Sequence, residues 1–136
     1  MRKPVADLVV EAILFGAEQM GQYELGAFAV MPNHVHLLVT PRVPMPRLTK
    51  RLKGFTARQA NLLLHRTGEP FWQEESYDHW VRSETEWTRI GRYIENNPVS
   101  GGLVARAEDY AWSSAFHRHD CRCGEQDCSL HISMSQ

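Results

Sequence analysis

Met31-Pro-Asn-His34-Val35-His36-Leu37-Leu38-Val39-Thr40-Pro41 is the stretch on which the reading of this chain turns. Its apolar, β-favouring residues give it the character of a strand. Side chains on a strand alternate faces, so His34 and His36 emerge side by side on one of them. Two neighbouring imidazoles suit two ligands of one divalent ion. Just upstream, 23–31 is a second strand-like run, and the Pro32-Asn33 link is short enough to make the two antiparallel neighbours.

Working outward, residues 5–20 read as a helix. Pro4 suits its first turn, Leu8, Ala12 and Phe15 recur at helical spacing, and Gly21 can end it. Residues 46–66 form a second helix, with Leu48, Leu52, Phe55 and Leu62 on one face and Arg47, Lys50, Arg51 and Arg58 opposite or beside them. After a loop over 67–76, a short strand is expected at 77–82. Ser83-Glu84-Thr85-Glu86 is a capping box that starts a third helix, with Trp87, Ile90 and Ile94 as its buried stripe. Pro98 disfavours helical geometry at Asn97, so that helix should end close to it. Residues beyond Trp112 read as a polar tail.

The 136 residues fit one domain, and 43% hydrophobic residues can bury a modest core. No apolar run is long enough to span a bilayer, and the N-terminus lacks the apolar stretch of a signal peptide. The three cysteines all fall within 121–128, which argues against a disulfide framework and for a cytoplasmic setting. A formal charge of −1 hides an uneven distribution: residues 42–66 hold seven Lys and Arg and no acid, whereas 69–95 are mostly acidic. Such a basic stripe attracts phosphates, although a solvated helix face reads the same way.

Cleaving a phosphodiester needs a nucleophile and a group that absorbs charge on the phosphate, and a divalent ion serves the second purpose. His34 and His36 supply two nitrogens, and the Asn97 amide could add an oxygen. That mixed donor set suits Mg²⁺ or Mn²⁺, while imidazole also accepts Zn²⁺ or Ni²⁺. Tyr93 lies one turn before Asn97 and shares its helix face. A phenol keeps its proton at neutral pH, so a nucleophilic Tyr93 needs a polarised phosphate or a base, for which His79 is a candidate. Taken singly, each element has a structural reading: a packed His-x-His pair, a packed tyrosine, an ordinary Asn-Pro helix stop.

Their order in the chain carries a resemblance. Met31-Pro-Asn-His-Val-His-Leu-Leu-Val39, Trp72-Gln73, Tyr77-Asp78-His79, Arg82, Arg92-Tyr-Ile-Glu-Asn-Asn-Pro-Val-Ser-Gly-Gly-Leu-Val104 and Tyr110-Ala-Trp-Ser-Ser114 together resemble the REP-associated tyrosine transposases. These are a branch of the single-tyrosine HUH (His-hydrophobic-His) transposases, and the likeness covers about residues 5–115.

The resemblance implies an α+β, ferredoxin-like antiparallel sheet with helices packed on one face. It implies metal binding by His34, His36 and Asn97, with Mg²⁺ or Mn²⁺ as cofactor and Tyr93 as the nucleophile. The reaction would be DNA nicking and strand transfer on single-stranded, hairpin-forming palindromes through a 5′-phosphotyrosine. Arg47, Lys50, Arg51, Lys53 and Arg58 could grip phosphates, and Trp72 or Tyr77 could stack bases. The chain could act as a homodimer, and no membrane partner is expected.

Two departures qualify it. Relatives begin with an interior strand before the first helix, whereas this chain starts at that helix. The strand's loss would leave neighbouring backbone groups unpaired unless something covers them. Ser76 also stands where relatives often carry an aromatic. A catalytically inactive, hairpin-binding remnant is therefore the alternative function. Second, residues 116–136 form a Cys/His-rich segment set apart from a transposase-like domain at 1–115. Within it Cys121, Cys123, Cys128 and His131 could chelate Zn²⁺, although the usual paired Cys-x₂-Cys is missing. A third reading makes that segment the main metal site of an unrelated protein.

Overall fold

A computed structural model describes residues 3–73, 76–117 and 130–135; of Ser76, Tyr77 and Leu130 it describes the backbone alone. Helix α1 (Lys3–Glu18) buries Val5, Val9, Val10 and Ile13 along one side. Gly21, at φ +60°, supplies the left-handed residue that turns the chain into β1 (Tyr23–Val30). β1 pairs antiparallel with β2 (His34–Pro41), as the short link requires. Helix α2 (Met45–Leu64) follows, then β3 (Ser76–Trp80), α3 (Glu84–Ser100), a single 3₁₀ turn at Ala107–Asp109, and β4 (Leu130–Ser135).

The sheet runs β1-β2-β4-β3, and every neighbouring pair is antiparallel. The α+β class and the antiparallel sheet are as expected. The neighbour of β2 on the side away from β1 is β4, from residues 130–135. β4 pairs with β2 along one edge and with β3 along the other, so the backbone groups of both find partners. A boundary at residue 115 therefore does not separate a tail from the domain, because residues 130–135 lie inside its sheet.

The helices occupy both faces, which corrects the expectation of one. Val35, Leu37 and Val39 of β2 and Ile132 and Met134 of β4 point into a large core with α1 and α2. The alternate residues face the other way. There Ala27, Ala29 and Leu38 meet Ile90 and Ile94 of α3 in a smaller cluster. Small residues on β1 let that helix approach. Gly26 forms a bulge between Leu25 and Ala27, and a Cβ on it would stand 2.8 Å from the Trp87 ring. The HUH histidines share a parity with Leu38, so they point toward α3.

The start of α3 follows the capping box: Ser83 Oγ accepts from Glu86 N–H at 3.1 Å, while Glu86 Oε1 accepts from Arg82 N–H at 2.9 Å. Its end lies three residues beyond Asn97. The helix continues past Asn97 to Ser100 with Pro98 buried inside it. So near the terminus proline forfeits a single ladder bond, and Gly101 and Leu103 N–H close the turn onto Asn97 and Pro98 carbonyls.

The outer edge of β1 is covered by the segment after the 3₁₀ turn. Val30 N–H bonds Trp112 O, Ser114 N–H bonds Phe28 O, and the Tyr110 hydroxyl donates to Val30 O at 2.7 Å. Ser113 and Ser114 are fully buried, so this stretch is part of the fold.

Candidate active site

Alternation along β2 fixes where the two histidines go, and the apolar stripe of α3 fixes what faces them. With Ile90 and Ile94 seated on Ala27, Ala29 and Leu38, Tyr93 falls at the rim of that contact and over His36. The Tyr93 and His36 ring centroids are 5.8 Å apart with planes at 74°, and His34 and His36 are 4.8 Å apart at 84°. Tyr93 is 57% exposed.

The histidines are built to be neutral donors. Burial, helped by the neighbouring His34 and His131, holds the His36 pKa down at about 4, and burial lowers that of His34 as well. Each ring has its Nδ1 engaged: His34 Nδ1 lies 2.7 Å from Asn33 Oδ1, and His36 Nδ1 lies 3.3 Å from His131 Nε2. The Nε2 of each ring is thereby left as the nitrogen to offer an ion. Asn97 is half-buried one turn beyond Tyr93. Among the described residues no group of three or more His, Cys, Asp or Glu is placed to hold a metal. Two imidazoles and an amide oxygen do fit a hard divalent ion that takes its remaining ligands from water and substrate.

The basic helix α2 lies on the other face of the sheet. Arg47, Lys50, Arg51 and Arg58 border a groove of about 760 Å³ between α1 and α2, whose apolar wall includes Phe15 and Phe55. Two of the expected phosphate contacts also serve the fold. The Arg51 Nε donates to Gln22 Oε1, and the Lys53 ammonium donates to Gln73 O at 2.9 Å while Asp78 lies in its field. Trp72 is half-buried on the main core with its indole N–H donating to Thr56 Oγ1 at 2.8 Å, away from Tyr93. The Tyr77 side chain and Cys121, Cys123 and Cys128 lie outside what the structure describes. His131 does not extend into a tail: it is 8% exposed and packed in the sheet against His36.

Several residues near Tyr93 were not anticipated. Arg89 and Arg92 border an open cavity of about 510 Å³ together with Tyr93 and Asn96. Helical spacing from Tyr93 would have pointed to Arg89, one turn earlier. His79 does not reach Tyr93 as a base; its Nε2 lies 3.1 Å from Glu86 Oε1.

The family described as "Transposase IS200 like" matches residues 2–97, a span that holds His34, His36, Tyr93 and Asn97. The chain belongs to the IS200-like transposases. It is 35% identical over 98 residues to the ISDra2 transposase TnpA of Deinococcus radiodurans, which covers 68% of this chain and 69% of that protein. It is 29% identical over 109 residues to a Haemophilus influenzae protein assigned as a REP-associated tyrosine transposase; here 71% of this chain spans 60% of the relative. No solved structure matches significantly. The REP-associated resemblance read from separated motifs is borne out. The family match stops at residue 97, so β4 and His131 lie beyond it. Among the described residues no helix is long and apolar enough to cross a membrane.

Proposed function

We propose that this transposase is a metal-dependent endonuclease and strand transferase for single-stranded DNA, with Tyr93 as nucleophile. The observation that supports the reading is the edge-on contact of Tyr93 with His36 beside His34, on a face with open space and two arginines. His34, His36 and Asn97 would hold Mg²⁺ or Mn²⁺, which when bound polarises the scissile phosphate.

The Tyr93 oxygen forms a bond to phosphorus, and the bond from phosphorus to the 3′-oxygen breaks. The phenolic proton is given up to solvent, and the departing oxygen takes one up to become a 3′-OH. The strand keeps a 5′-phosphotyrosine, and attack by a 3′-OH reverses the step to reseal or join strands. Arg89 and Arg92 hold phosphates flanking the scissile bond, a task suited to exposed guanidinium groups. Folded hairpins of repetitive palindromes are the substrates, and phosphates of their paired stems lie against Arg47, Lys50 and Arg58 across the sheet.

The test is a hairpin oligonucleotide from the host genome's own repeats, incubated with Mg²⁺ or Mn²⁺. A covalent protein–DNA adduct is expected from the wild type and none from Tyr93→Phe, which loses only the attacking oxygen. An adduct that survives in Tyr93→Phe, or its absence from the wild type with every repeat hairpin, overturns the reading.

A further inference from the structure

β3 and β4 bring a second pair of histidines, His79 and His131, to the HUH face. In the sheet register Leu38 pairs with His131 and His36 with Ser133, so His131 stands diagonal to His36 on the same face. Its Nε2 is 3.3 Å from His36 Nδ1, the ring centroids are 5.4 Å apart, and the residues are 7% and 8% exposed. Behind it, His79 pairs directly with His131 across the β3–β4 ladder, and Glu86 lies against His79.

A neutral imidazole has one nitrogen that donates and one that accepts. If the Nε2 of His36 offers its lone pair to an ion, the proton must sit on Nδ1, and a buried N–H needs an acceptor. His131 Nε2 is the group in place. His34 follows the same pattern, with its Nδ1 against Asn33 Oδ1. The two rings are thus held from the same ring position by residues that are not themselves ligands in the proposed set.

We infer that His131 is a positioning residue of the metal centre: it accepts the hydrogen bond from His36 Nδ1–H and so fixes the tautomer and orientation of that ligand. The inference rests on the proposed role of His36 as a ligand. It makes the C-terminal strand part of the catalytic apparatus as well as of the sheet. Removal of such an outer partner commonly costs about 10- to 100-fold in metal affinity.

The experiment uses the full chain and Mn²⁺ alone, with free Mn²⁺ followed by electron paramagnetic resonance. His131→Leu keeps the volume but cannot accept; His131→Gln keeps an acceptor oxygen. A 10- to 100-fold weaker Mn²⁺ dissociation constant is expected for His131→Leu, with wild-type affinity kept within about threefold in His131→Gln. Equal affinity in all three, or equal loss in both variants, overturns the inference. Should His131→Leu not fold, ¹⁵N NMR of the metal-free wild type decides the matter: the His36 proton on Nδ1 supports the inference, and on Nε2 refutes it. Mn²⁺ binding that persists at wild-type strength in His34→Ala and His36→Ala would sink the ligand assignment itself, a distinguishable outcome.

Discussion

Replacing Ile132 by alanine tests whether the last strand is structural. Ile132 is 1% exposed and sits in the main core with Met134, between β2 and β3. The substitution removes three carbons, worth roughly 0.8 kcal/mol each in transfer, or about 2.4 kcal/mol. The strand is clamped on both edges, so the surroundings cannot easily close the gap, and the cavity term raises the cost to about 3–4 kcal/mol. For a chain of this length that corresponds to a fall in Tm of about 10 °C. Circular dichroism melts of the variant and of Phe116→Ala give the comparison. Phe116 is 50% exposed, and its truncation should stay within about 0.5 kcal/mol. If Ile132→Ala also melts within about 2 °C of the wild type, β4 does not hold the interior of the sheet in solution, and the placement of His131 falls with it.

Acid should destabilise the metal-free protein in a defined window. His36 is held at about 4 in the fold against an ordinary 6.5, so as pH falls below 6.5 the unfolded chain takes up the proton first; stability is full above that pH and declines by up to roughly 3 kcal/mol toward pH 4, in urea titrations whose flatness across that range would contradict the buried neutral ring. Gly26→Ala drives a methyl group to 2.8 Å from the Trp87 ring, so a loss of about 1–3 kcal/mol is expected in thermal melts, together with a slower adduct-forming rate because α3 carries Tyr93; an unchanged rate would separate the helix seat from the chemistry. Arg89→Ala and Arg92→Ala should each reduce the log–log salt slope for single-stranded DNA binding by about 0.7, as measured by fluorescence anisotropy. Arg47→Ala and Arg58→Ala, on the far face, should weaken hairpin binding and leave an unstructured strand's affinity unchanged; the reverse pattern would reassign the two surfaces.

The sequence was legible wherever local rules act alone. The capping box placed the start of α3, the Pro32-Asn33 link paired β1 with β2, and His-x-His parity put both imidazoles on one face. It was silent where distant segments meet. Pro98 was overruled because a proline near a helix end forfeits one bond, and its ring is buried. The two-faced arrangement of helices follows from Ala27, Ala29 and Leu38 forming a seat, which no single window displays. His131-Ile132-Ser133-Met134-Ser135 does alternate polar and apolar residues, the pattern of a half-buried strand. Its position after a Cys/His-rich stretch hid that signal, and nothing local could reveal that His131 meets His36, 95 residues upstream.

The same alternation explains how a sheet can carry buried imidazoles without losing its register. Val35, Leu37 and Val39 on β2, and Ile132 and Met134 on β4, are all fully or nearly fully buried against α1 and α2. A slip of one residue would turn them onto the α3 face and drive His34, His36 and His131 into an apolar core. Burial there without partners would cost roughly 1–3 kcal/mol for each unsatisfied ring nitrogen, in addition to the lost apolar contacts. The large core therefore holds the polar face in place, although it touches none of the proposed chemistry. On the other face Ile90 and Ile94 of α3 pack on Ala27, Ala29 and Leu38, with Val81 and Trp87 beside them. The proposed ligands thus sit on a strongly registered sheet, and the proposed nucleophile on a helix packed against its polar face, an arrangement that lets a tyrosine meet a phosphate held at the histidines.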